Sequence, residues 1–331
     1  MSENQFRALV VEEAEAKKYL CGIKTRAIDD LPAGEVLVRV HYSALNYKDA
    51  LSSVGNKGVT RHYPHTPGID AAGTVAASEH ADFAVGDEVI VTSYDLGMNT
   101  DGALAEYIRV PAAWVIQRPP NLSLREAMMF GTAGLTAGLM MDALVKHGVT
   151  PERGPVLVTG ATGGVGSLAV AMLAKAGFTV TAVTGKADAA DFLKSLGAGE
   201  VVTRGTVIET ERPLLKEQWA GVIDVVGGDM LASALKATRY GGTVTCAGLV
   251  GSPELHTTVF PFILRGISLI GIDSAECPMA TRLAVWERMA GEWKPDCLET
   301  LTTEITLDEV AERLQAILQG QSHGHYLVRI A

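Results

Sequence analysis

Hydrophobic and polar positions change rhythm three times along the chain, and each change predicts a different kind of element. Through residue 120 or so, short β-like runs alternate with turn formers. Strands are predicted over residues 36–40, 73–77, 88–92 and 105–110, the first entered through the turn-like Pro32-Ala33-Gly34. Arg125 to Lys146 is dense in Met, Ala and Leu and predicts one or two buried helices, broken at Gly131-Thr132-Ala133-Gly134. From Pro155 strand and helix alternate: strands over 156–159 and 178–184, helices over 167–175 and 189–196, the last stopped by Gly197. Later strands, 221–226 and 242–247, are bounded by glycines, and 259–272 reads as helix, turn at Gly266, and strand. Short apolar strands separated by helices predict a parallel sheet covered on both faces. At the end, Leu307, Val310, Ala311, Leu314, Ile317 and Leu318 share one side of a helix behind the cap Thr306, followed by a strand over 326–330. With the parallel sheet already complete, this tail is expected to fold back onto the N-terminal domain.

The length of 331 residues suits two domains, and 47% hydrophobic with 20% charged residues fits a compact globular chain. A formal net charge of −10 repels nucleic-acid phosphates and gives no general attraction to anionic membranes. Met1 to Val11 lacks the basic and apolar regions of a secretory signal, and no uninterrupted apolar run is long enough to span a bilayer. Cys21, Cys246, Cys277 and Cys297 are widely spaced and form no CxxC pair. A zinc ribbon and a disulfide framework are thereby disfavoured, and a cytoplasmic setting is expected.

The strongest local motif is the run Val156-Leu157-Val158-Thr159-Gly160-Ala161-Thr162-Gly163-Gly164-Val165-Gly166. Against the dinucleotide pattern G-x-G-x-x-G, Ala161 takes the first position and Gly163 and Gly166 the other two. Gly163 lets backbone approach a pyrophosphate, Gly166 lets helix pack on sheet, and the N–H groups opening the helix hold the anion. The second strand ends in Val183-Thr184-Gly185-Lys186 without the carboxylate that holds an NAD ribose. Lys186, with Arg204 after the next strand, is placed to pair with a 2′-phosphate; the bland alternative is two ordinary surface charges. The pair and the missing acid together favour NADPH.

The segments Leu45-Asn46-Tyr47-Lys48-Asp49-Ala50-Leu51, Pro67 to Gly73, Thr159 to Gly166, Pro261 to Gly266 and Gly271-Ile272-Asp273-Ser274 resemble the medium-chain dehydrogenase/reductase superfamily. Within it they resemble the zinc-independent, quinone-oxidoreductase-like branch that contains the bacterial NADPH-dependent acryloyl-CoA reductases. The resemblance covers essentially the whole chain. It implies an α/β protein with a GroES-like β-rich catalytic domain (1–125, completed by a return segment 276–331) and a doubly wound Rossmann domain (126–275), assembled as a homodimer. Where zinc alcohol dehydrogenases place a ligand cysteine and a His-Glu pair, this chain has Asn46 and Ile69-Asp70. His41, His62 and His65 lack a tetrahedral constellation and read as turn, surface or hydrogen-bonding residues.

What the resemblance implies for the reaction is reduction of acryloyl-CoA to propanoyl-CoA, hydride going from nicotinamide C4 to the β-carbon. The alternatives are a quinone or 2-alkenal reductase without CoA specificity, and a non-catalytic nucleotide-binding protein. It places Tyr47 beside the nicotinamide, to orient the ribose or deliver a proton, against a plain packing role. Asn46 becomes a hydrogen-bond donor toward the substrate oxygen. It puts Thr162, Gly163, Gly164 and Val165 around the pyrophosphate and Thr184, Gly185, Lys186 and Arg204 at the adenosine-phosphate end. Leu249, Ile263 and Ser274 fall along the cofactor path, and Gly320 occupies a contact position often held by asparagine. His325 stands where the family pattern has arginine. Asp49 reads as a helix cap, Asp70 as a structural active-site residue, Asp224 as support for the sheet or cleft, and Cys246 as a core cysteine. No basic motif marks a CoA seat; Lys57, Arg61 and Arg282 are candidates whose plain reading is solvated surface charge.

Overall fold

The computed structural model describes residues 4–15 and 17–331. The chain divides into two compact units, Met1–Thr132 with Thr302–Ala331, and Ala133–Leu301.

In the first unit the organising strand is Val36–Leu45, where Val36, Val38 and Val40 are fully buried by alternation. Its far end, Ala44-Leu45, is buried as well, so the strand runs beyond the stretch that alternation marks. It pairs antiparallel with Asp70–Ser78, Tyr107–Val110 and the tail strand His325–Arg329. The tail strand also lies parallel to Thr302–Thr306, so the C-terminus does rejoin the N-terminal sheet. Between them, Thr306 donates its N–H and hydroxyl to Glu309 at 2.8 and 2.7 Å, and Val310 and Leu314 of the helix Val310–Leu318 are fully buried. The antiparallel pair Gln5–Glu15 and Lys18–Ala27 was not marked by the sequence pattern. Its second strand has no buried face, so alternation carries no signal there.

Leu124–Lys146 is continuous by hydrogen bonding but breaks at Gly131, whose φ of 50° and ψ of −154° no helix contains. By length and composition alone this helix passes for a membrane span, yet polar residues interrupt its apolar run and 89% of its most apolar window is buried inside the protein.

The second unit is a six-stranded sheet ordered Glu200–Thr203, Val180–Thr184, Val156–Val158, Trp219–Asp224, Thr238–Cys246, Ser268–Gly271, every pair parallel. This is the doubly wound order, with its reversal between Val156–Val158 and Trp219–Asp224. Val156, Leu157 and Val158 are all fully buried, as expected of a strand covered on both faces. Each such side chain contributes about 1.5–3 kcal/mol through burial. Gly266 ends the helix Phe260–Arg265 in the left-handed conformation, as the sequence suggested.

Candidate active site

The carboxyl ends of three neighbouring strands in the second unit bring together most of the residues assigned to the cofactor. After Val156–Val158 the chain turns at Gly160 (φ 59°), and Gly163 N–H closes the turn on Gly160 O at 3.0 Å. The tight turn therefore falls one residue before Ala161. Gly163 takes the N-cap position of the helix Gly164–Lys175 and has no side chain to satisfy the first N–H groups. A Cβ on Gly163 would meet only Gly160 O, at 3.5 Å, so the space above it is open. A Cβ on Gly166 would lie 2.3 Å from that same oxygen and 2.8 Å from Ala161 Cα. The two glycines thus serve different ends: Gly166 is required by packing, whereas Gly163 leaves a surface on which an anion can rest.

Asp224 braces this edge from the adjacent strand. Fully buried, it accepts a hydrogen bond from Thr159 Oγ1 at 2.7 Å and from Gly227 N–H at 2.8 Å, while Thr159 Oγ1 accepts Val225 N–H at 3.1 Å. Burial pushes its carboxyl above the usual range. Burial, with the nearby Asp224 charge, likewise holds the Cys246 thiol high, so the cysteine is no ready nucleophile.

At the end of Val180–Thr184, Lys186 N–H donates to Thr184 Oγ1 at 3.0 Å. Arg204 opens the short helix after Glu200–Thr203 and lies across Gly185, where a Cβ would come within 2.9 Å of its Nε. The guanidinium makes no hydrogen bond or ion pair with any described residue. Burial pulls the Lys186 ammonium below its usual range, with Asp188 opposing and Arg204 adding to the effect. Two cations sharing an edge, one with its donors unspent, make a seat for a phosphate. Asp188 sits exposed in the turn ahead of Ala190–Ser195, not at the strand end where a ribose carboxylate would be.

Leu249 and Ser274 follow the carboxyl ends of Thr238–Cys246 and Ser268–Gly271, and Ile263 lies on the helix joining those strands. Leu249 and Ile263 are well exposed, at 63% and 68%. Ser274 Oγ accepts Thr136 Oγ1 at 2.8 Å. Its carbonyl and that of Ala275 accept the Arg282 guanidinium at 3.0 and 3.1 Å. Arg282 is 1% exposed, which corrects its reading as a surface charge or CoA contact: it is an internal clamp on the 274–275 turn.

The first unit carries the other candidates. Asn46 occupies the N-cap position of the helix Tyr47–Ser53, and Tyr47, its first residue, is 45% exposed. Asp49 does not cap from outside the helix. From the third helical position its buried carboxylate accepts Asn46 N–H at 2.8 Å and the N–H groups of Gly68 and Ile69 at 3.0 and 3.1 Å. Burial and the charge of Asp70 push the Asp49 carboxyl up to about 7 against the pull of those three donors. Asp70, also fully buried, accepts Asn46 Nδ2 at 2.7 Å, Thr132 N–H at 2.9 Å and Thr132 Oγ1 at 2.6 Å. Thr132 was seen in the sequence only as part of a helix break, and Ser93, whose Oγ lies 2.8 Å from Thr132 Oγ1, was not marked at all.

Gly320 has φ 67° and lies in the first unit with open space where a Cβ would be. His325 is buried, and burial pushes its imidazole down to about 4, so it is neutral and cannot replace the arginine's charge. Lys57 donates to Arg61 O at 3.1 Å and lies 4.7 Å from the centre of the Tyr63 ring. His41 and His65 bond Thr74 and the Gly97 carbonyl, and His62 is exposed. Among the described residues no group of three or more His, Cys, Asp and Glu is arranged to hold a metal ion.

Residues 32–120 match the alcohol dehydrogenase GroES-like domain family, and residues 164–290 the zinc-binding dehydrogenase family. YhfP of Bacillus subtilis, which bears a provisional quinone-oxidoreductase name, is 50% identical over 98% of this chain and 99% of its own. Its crystal structure with NAD bound has a TM-score of 0.96, covering 99% of this chain and 100% of that one. The acrylyl-CoA reductase AcuI of Ruegeria pomeroyi is 46% identical over 98% of this chain and 99% of its own. The YhdH oxidoreductase of Salmonella enterica, solved with NADP, is 45% identical with a TM-score of 0.96, covering 98% of this chain and 100% of that one.

Proposed function

We propose, because this chain belongs to the quinone-oxidoreductase-like branch of the medium-chain dehydrogenase/reductase superfamily, that it reduces the activated double bond of a small electrophile such as a 2-alkenal or quinone. The chain is an oxidoreductase, and its cofactor is NADP(H). The observation that carries the cofactor reading within this chain is the Arg204 guanidinium, without a partner among the described residues, lying across Gly185 beside Lys186 on the strand next to the one that leads to the open N-terminus of Gly164–Lys175. Acryloyl-CoA is the narrower substrate. The names of AcuI and its Escherichia coli counterpart support it. The loss of Arg282 as a phosphate contact, and the engagement of Lys57 with its own neighbours, favour the broader reading.

Bound NADPH supplies the hydride. Thr162 to Val165 would hold its pyrophosphate and Thr184, Gly185, Lys186 and Arg204 its adenosine phosphate, while Leu249, Ile263, Ser274 and the Gly320 backbone are the further contacts that the resemblance implies. Asn46 donates an N–H to the substrate oxygen as negative charge develops there, and the exposed Tyr47 orients the ribose or passes a proton to the α-carbon. Asn46 and Ile69 stand where the zinc enzymes carry ligands, and neither an amide nor an alkyl chain can polarise an alkoxide as zinc does.

The test is NADPH oxidation by the purified protein with acryloyl-CoA, acrolein and a simple quinone. The expected result is that a CoA-free compound reaches kcat/KM within about tenfold of acryloyl-CoA. A loss of about 100-fold or more on removing CoA instead identifies an acryloyl-CoA reductase, since remote binding energy then drives the chemistry. Tight NADPH binding without turnover of any alkene or quinone supports the non-catalytic alternative.

A homodimer is the expected assembly, and an exposed edge of the second unit supports it. Ser268–Gly271 is an edge strand, and the helix before it exposes Phe260, Ile263 and Leu264. Light scattering is expected to give twice the 34.9 kDa chain mass, and Leu264→Lys to shift the protein toward the monomer. A wild-type monomer at micromolar concentration would sink this assignment.

A further inference from the structure

A side-chain amide has two faces of nearly equal shape, and turning it over exchanges an acceptor for a donor pair. Its orientation is fixed only by neighbours that accept or donate exclusively. Asn46 has such a neighbour: an ionised carboxylate only accepts, and Asp70 Oδ2 takes Asn46 Nδ2 at 2.7 Å. Asp70 is itself held in place. Its other oxygen receives Thr132 Oγ1 at 2.6 Å, and Thr132 N–H lies 2.9 Å from both oxygens. That N–H is available because the helix is interrupted at Gly131, so Thr132 begins a new helical run whose first donors lack internal partners. Position 131 has no room for a side chain, since a Cβ there would lie 2.6 Å from Asp70 Oδ2. Ser93 and Tyr94, with φ of 64° and 52°, hold the left-handed conformation at this same point, and Ser93 N–H is tied to Ile69 O at 2.7 Å. Non-glycine residues in that region cost about 1–3 kcal/mol each and gather where geometry serves function.

We infer that Asp70 is a positioning residue: anchored at the Gly131 break, it holds the Asn46 amide in one orientation, with Oδ1 turned to the Asp49 N–H of the capping box and the second Nδ2 hydrogen left for the reaction. The inference rests on the reading that Asn46 acts on the substrate. An asparagine at position 70 would have one acceptor oxygen, claimed by Thr132, and would turn its amino group toward Asn46 Nδ2. Two amino groups cannot bond, so the Asn46 amide flips or drifts.

Asp70→Asn, Asn46→Ala and the double variant are compared for kcat and KM on whichever substrate the wild type reduces, together with NADPH Kd and Tm. Each single change is expected to lower kcat by about 10- to 100-fold with NADPH Kd unchanged within about twofold, and the double variant to be no slower than Asn46→Ala alone. If Asp70→Asn slows the Asn46→Ala enzyme by the same factor as it slows the wild type, Asp70 does not act through Asn46 and the inference is overturned. A wild-type kcat in Asn46→Ala removes the role of Asn46, and the inference with it. Should Asp70→Asn fail to fold, Asn46→Asp decides: it leaves Asp70 and Thr132 in place and sets a carboxylate against Asp70, with Asp49 on the same helix also facing it. Like charges at that separation must share a proton. The variant's kcat is then expected to fall with rising pH through an ionisation that the wild type lacks, and a profile parallel to the wild type overturns the inference.

Discussion

Replacing Lys186 and Arg204 together by alanine is expected to lower kcat/KM for NADPH about 10³-fold while leaving kcat/KM for NADH within about threefold. Both cations stand at the carboxyl ends of adjacent parallel strands, and Arg204 spends none of its five donors on any described residue. A charge-assisted hydrogen bond contributes about 1.5–3 kcal/mol, and Arg204 is exposed, so its share is taken at the low end. A total near 4 kcal/mol corresponds to about three orders of magnitude. Burial and the Arg204 charge both weaken the Lys186 ammonium against the pull of Asp188, so a phosphate beside it relieves a repulsion as well as making bonds. NADH lacks the 2′-phosphate and so loses little. Steady-state kinetics with both cofactors measures the ratio, and an unchanged preference would place the 2′-phosphate elsewhere.

Gly166→Ala is expected to destabilise the protein by about 3 kcal/mol or more and to abolish measurable NADPH binding, whereas Gly163→Ala keeps the fold and loses affinity. The added Cβ at 166 meets backbone on both sides, at 2.3 and 2.8 Å, and neither the Gly160 turn nor the helix start can give way without moving the other. In a unit of this size that cost corresponds to a fall in Tm of about 10 °C. At 163 the nearest atom is an ordinary contact at 3.5 Å, so the methyl group disturbs only what binds above it. Thermal melting with NADPH titration of both variants checks the pair. Equal melting losses would mean that Gly163, too, is required by packing.

These two regions were legible because their information is local. The strand–turn–helix around Gly160 to Gly166 lies within a few residues, and so does the absence of an acid after Val180–Thr184; backbone reach and charge type need no knowledge of the rest of the chain. Element limits were less legible. Helix Gly164–Lys175 begins three residues before the start at 167 that the pattern predicts, because the glycines that open it carry no hydrophobic signal.

The sequence by itself determined the alternation that builds a covered parallel sheet, the glycines that its nucleotide turn demands, and the replacement of zinc-ligand residue types by Asn46 and Ile69-Asp70. Only the tertiary structure decided what long-range contact decides. Asn46, Asp70 and Thr132 lie 24 and 62 residues apart, and they meet through strand pairing and through a helix break whose purpose no local pattern reveals. Arg282 looks like any surface arginine until its helix is placed against the 274–275 turn, and His325 looks chargeable until its strand is buried. A side chain's charge type is written in the residue; its partner, solvation and protonation belong to the assembled chain.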